Sequence, residues 1–76
     1  MNTKYLCYIC QEGKVIRRVY IPLIPRIGER ISIYIGKEHK FISYKVVNVE
    51  HIIDGSSKRE PIIKLYISNP IAAIQQ

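Results

Sequence analysis

Apolar and polar residues alternate with a period of two over much of this chain, and the alternation stops at a few polar, Pro- or Gly-bearing sites. Those sites are Gln11–Lys14, Pro22–Gly28, Gly36–Lys40, Asp54–Pro61 and Ser68–Pro70. In Gln11–Lys14 a Gly stands where a turn needs positive φ. Five strands fit between the breaks: Lys4–Cys10, Lys14–Ile21, Arg30–Ile35, Phe41–Ile53 and Ile62–Ile67. Ile, Val and Tyr dominate these segments and suit a pleated, half-buried surface. Asn69 reads as a helix N-cap with Pro70 at the first helical position, so Ile71–Gln76 is expected to form a short C-terminal helical turn.

The fourth strand departs from strict alternation. Ile42, Tyr44 and Val46 share one face, and Val47, Val49, His51 and Ile53 share the other. A bulge near Val46–Asn48 brings both sets to one side and bends the strand. In the third strand Ile31, Ile33 and Ile35 point one way; in the fifth, Ile63, Leu65 and Ile67 do. Three strands with a clear inner face predict a closed or nearly closed antiparallel barrel, because closure also hides the edges. The expected core is Leu6, Ile31, Ile33, Tyr44, Val46, Val49, Ile63, Leu65 and Ile67. The second strand is half apolar on both faces, which fits either a strand shared between two halves of a barrel or an interface strand.

At 76 residues the chain is one domain, 1–76, and sixteen of its residues are Ile. A domain this small buries only about 60% of its unfolded surface, so it needs that apolar density. It leaves no room for a large catalytic cleft. The composition excludes a disordered tail, a coiled coil and a disulfide-stapled miniprotein. No apolar run approaches the roughly 18 residues of a membrane span, and Leu6–Cys10 is too short for a signal peptide. A cytoplasmic protein with no membrane association is expected.

Pro25-Arg26-Ile27-Gly28-Glu29-Arg30-Ile31, followed by Tyr44-Lys45-Val46-Val47-Asn48-Val49-Glu50-His51, resembles a pattern of small bacterial and phage SH3-like barrels. Many such barrels have no assigned function, so the resemblance implies a fold: all-β, a small five-stranded antiparallel SH3-like barrel. It covers roughly residues 25–53. Gly28-Glu29-Arg30-Ile31-Ser32-Ile33 is also similar to the strand entry of KOW-type RNA-binding barrels. The later glycine of that motif is missing at Tyr44-Lys45-Val46-Val47, so RNA binding is not carried over.

Cys7-Tyr8-Ile9-Cys10 has the spacing of a metal or redox pair but lacks the context of one. Residues three apart on a strand point to opposite faces, no second pair follows, and no helix lowers a thiol pKa. One buried Cys beside an exposed or edge Cys is expected, with no metal and no cofactor. His51 lacks an orienting acid on its own face and reads as a half-buried His bonded to a backbone carbonyl. No nucleophile elbow, phosphate loop or carboxylate pair is present, so no catalytic residues are assigned and the protein is read as a non-enzyme.

Charge supplies the main functional hint: 12 Lys and Arg against 6 Asp and Glu, a net charge of +6. Arg17, Arg18, Arg26, Arg30 and Lys45, with Tyr34 and Tyr66 as flat platforms, form a candidate surface for nucleic acid or a partner. Leu23 and Ile24, between two prolines, and Ile71 and Ile74, on one face of the expected helical turn, form a candidate apolar partner surface. One of these apolar segments is expected to plug the barrel and the other to mediate self-association. The function expected is a small binding module for an unknown protein partner or for self-association, with nucleic-acid binding as the alternative. An inhibitor encoded by a phage or mobile element would read the same way.

Overall fold

The computed structural model describes residues 3–56 and 58–75, the last four of these as backbone only. The chain is all-β, with strands β1 (Tyr5–Gln11), β2 (Lys14–Ile21), β3 (Arg30–Ile35), β4 (Lys40–Ile52), β5 (Ile62–Ile67) and β6 (Ala72–Gln75). Five strands follow the order β2-β1-β5-β4-β3, and β6 pairs with β4 off this path. The sheet curls into a half-barrel whose concave side holds the core.

β1 and β2 form a hairpin in which Gln11 faces Lys14. Glu12 (φ 50°) and Gly13 (φ 78°) sit at its tip. Positive φ at both central positions twists a two-residue turn in the sense the strands need. A second turn leads into β3. Glu29 N–H donates to Arg26 O at 3.0 Å, with Gly28 at φ 92° inside the turn, the conformation for which glycine has no steric penalty. Gly28 N–H then donates to Val46 O, and Val46 N–H to Glu29 O, both at 2.8 Å, fixing the start of β3 against the bend of β4.

The bulge in β4 is present. Val46 faces Ile67, Asn48 faces Tyr66 and Val49 faces Leu65, leaving Val47 as the extra residue. Val46 is fully buried, Val47 is 50% exposed, and Val49 packs on the same core cluster as Val46. The bent β4 pairs with β3 along Lys40–Lys45, while its other edge takes β5 and then β6.

Four expectations are corrected. The sheet is mixed, because β1 and β5 pair in parallel. Alternation reports which face a side chain takes, not which neighbour the strand finds or in which direction. The C-terminal helical turn is absent: Ala72–Gln75 is a strand beside Ser43–Lys40. Six residues cannot offset the cost of nucleating a helix, whereas the edge of β4 offers ready backbone partners. The interruption between β5 and β6 is held by Ser68 N–H to Lys45 O (2.9 Å) and Ile71 N–H to Ser43 O (2.7 Å), with Pro70, which has no N–H to place, in the gap.

Nor is the barrel closed. No Cα of β2 lies within 8 Å of a Cα of β3, against about 4.8 Å for paired strands. The radius of gyration is 13.4 Å, where a compact chain of this length has about 11 Å. The core, finally, contains Cys7 and Ile9 in place of Leu6. Cys7 faces Val19 and Ile63, while Leu6, half-buried, faces Tyr20 and Ile62 on the convex side. Buried Tyr44, Val46, Ile63, Leu65 and Ile67 complete the centre, with Ile31, Ile33 and Val49 partly buried around it.

Candidate binding groove

The missing β2–β3 pairing leaves a groove along the open side of the half-barrel. Its floor is apolar: Ile9, Val19, Ile21, Ile31, Ile33 and Leu65, with a volume of about 550 Å³. Leu23 and Pro25 continue it into a neighbouring depression that also takes in Arg26, Glu29 and Arg30. Leu23 is 81% exposed at this rim, whereas Ile24 turns inward against the core. Pro25 restricts the preceding Ile24 to extended conformations, in which adjacent side chains take opposite sides. Ile24 thus plugs the core and Leu23 remains at the surface.

The cations divide between two faces. Arg17 shares the concave face with Val19 and lines the groove; Arg26 and Arg30 line its extension. Among the described residues Glu29 is the one acid beside them, 3.6 Å from Arg26 and accepting the Arg26 backbone N–H. Lys45 faces Arg30 across the β3–β4 ladder. Tyr34 lines the groove at the β3 edge, with its ring 5.2 Å from that of Phe41 and its hydroxyl 3.4 Å from His39 Nδ1. Arg18 and Tyr66 lie elsewhere. Arg18 stacks over the Tyr8 ring at 5.2 Å on the convex face. Tyr66 O–H donates to Glu50 at 2.7 Å on that same face. Ile71 is exposed, and the side chain of Ile74 lies outside the described residues.

The hydrogen bond to Glu50 holds the Tyr66 phenol above its ordinary value, since the bond is lost when the proton leaves. The native state therefore favours the neutral phenol. The stabilisation is present below the ordinary tyrosine pKa of about 10 and fades as pH rises through the elevated one. In Glu50→Gln the Tyr66 phenol is expected to ionise at lower pH than in the wild type, read as an earlier rise in part of the 295 nm absorbance.

Both cysteines are free and buried, which corrects the expectation that one of them is exposed or at an edge. Cys10 faces Val15 and Tyr66, on the side opposite Cys7. Burial raises the Cys7 thiol pKa, the direction that makes a thiol unreactive. The His51 side chain is exposed rather than half-buried, and among the described residues its ring makes no hydrogen bond. Glu50 points away from it, to Tyr66. No group of three metal-ligating side chains gathers among the described residues, and among them no helix is long and apolar enough to cross a membrane.

The apolar floor went unassigned at the level of sequence. Its trace is the half-apolar β2, where Arg17 stands on the face of Val19 and Ile21. No protein-family model, no curated protein and no solved structure matches the chain.

Proposed function

We propose that this protein is a small non-enzymatic cytoplasmic binding module whose ligand is another protein. The observation that carries the reading is the open apolar groove with Leu23 exposed at its rim. The accessible surface is 5865 Å², where about 4,800 Å² is usual for a folded monomer of this mass. The excess, roughly 1,000 Å², accords with a sheet left open on one side. At the level of fold, the half-barrel is an SH3-like barrel left open between β2 and β3. Support for that comes from the Gly28–Ile31 lead-in to β3 and the bulged β4.

Nucleic acid is the second reading, favoured by Arg17, Arg26, Arg30 and Tyr34 around one groove. It ranks below protein because the floor is aliphatic and the Tyr34 ring already packs on Phe41, whereas single strands need free stacking platforms. An inhibitor from a phage or mobile element falls under the first reading.

Affinity capture from a nuclease-treated extract, comparing wild type with Leu23→Glu, separates the two. The expected result is a discrete partner with wild type and at least a tenfold loss with the variant. Binding of short single- or double-stranded oligonucleotides that collapses with salt, without a Leu23-dependent protein, would overturn the proposal in favour of nucleic acid.

A further inference from the structure

Resting on the protein-binding reading, we infer that the groove is a strand-addition site, completed by an extended partner segment that alternates apolar and acidic residues. Among the described residues β2 and β3 each have a strand on one edge only, and their other edges border the groove. Their separation exceeds 8 Å. The two edges are therefore not bonded to each other, and a strand between them would sit about 4.8 Å from each. β2 and β3 run in opposite directions, as their chain of pairings requires. The inserted strand therefore runs antiparallel to one and parallel to the other. Its backbone satisfies two rows of groups, which is how strand addition gains affinity.

Side chains select the sequence. On the inner face the floor around Val19 and Ile33 takes alternate apolar residues. On the outer face Arg30 of β3 borders the slot, exposed, and takes the acids between them. Arg17 adds a cation on the inner side. The free edges of a second copy cannot supply these charges, because neither β2 nor β3 contains an acidic residue. With a net charge of +6, self-pairing would set arginines against arginines.

The test uses three capped ten-residue peptides: alternating Val and Glu, alternating Val and Lys, and the Val–Glu peptide N-methylated at alternate residues. Binding is followed by amide chemical shifts of the intact protein, with an oligothymidine in a parallel titration. The Val–Glu peptide is expected to shift Val19, Ile31 and Ile33 and to bind at least tenfold more tightly than either control. In the double variant Arg17→Glu, Arg30→Glu the preference is expected to reverse toward Val–Lys. Equal binding of the N-methylated peptide, or shifts centred on convex Leu6 and Tyr20, would overturn strand addition while leaving protein binding in place. Oligothymidine in the groove with no peptide binding would overturn both.

Discussion

Val46→Asp is expected to leave the protein unfolded at neutral pH, while Val47→Asp folds with a stability within about 0.5 kcal/mol of wild type. The two valines are adjacent, yet Val46 is fully buried among Cys7, Ile63 and Leu65, and Val47 is 50% exposed. An aspartate at position 46 has no cation or donor among its apolar neighbours. It must stay charged in an apolar centre or be held neutral by a large pKa rise, and either route costs several kcal/mol. A domain of this length has a total stability of about 4–11 kcal/mol. At position 47 the carboxylate projects from the bulge into water. Circular dichroism with urea denaturation distinguishes the outcomes. Equal loss in both variants would mean that Val47 is not the bulged residue.

Leu65→Ala is expected to cost about 2–5 kcal/mol, a large share of that stability. Leu65 is 1% exposed and central to β5. It faces Ile9 of β1 on one side and Val49 of β4 on the other, and it reaches the floor of the groove. The residual cavity would lie where the halves of the curled sheet meet. Collapse around it is limited, since β5 is paired along both edges. Thermal unfolding should show a fall in Tm of many degrees. By contrast, Tyr20→Ala on the convex face, 59% exposed in the wild type, should change Tm little. Similar losses at both sites would place the core on the wrong side of the sheet.

Both predictions rest on parity, and parity was readable along most of the chain. The inward sets Ile31–Ile33 and Ile63–Leu65–Ile67 followed from alternation alone. So did the bulge, because no unbroken strand puts Val46 and Val49 on one face. β1 was different. Tyr5-Leu6-Cys7-Tyr8-Ile9-Cys10 is apolar or aromatic at every position, so alternation cannot tell Leu6 from Cys7. Only the pairing of Cys7 with Val19 and Ile63 turns it inward. The parallel β1–β5 ladder and the pairing of Ala72–Gln75 with β4 are contacts between distant segments, and local signals carry no record of them. At Asn69–Pro70 the local helix-start signal yielded to a strand edge that needed partners.

The candidate site divides in the same way. Arg17, Arg26, Arg30, Tyr34 and Leu23 were all visible as residue types, and the fold gathers them along one groove. Arg18 and Tyr66 belonged to the same list and lie on the convex face. What the residues could not reveal was that β2 and β3 fail to meet. Closure depends on the sum of curls and registers over five strands.

That gap is the central claim, and amide hydrogen exchange of the free protein tests it most directly. With β2 and β3 as open edges, β1 and β5 should be protected along both sides, and alternate amides of Lys14–Ile21 and Arg30–Ile35 should exchange nearly as fast as an unstructured chain. Continuous protection along both β2 and β3, independent of protein concentration, would mean that the two strands are paired and the barrel is closed.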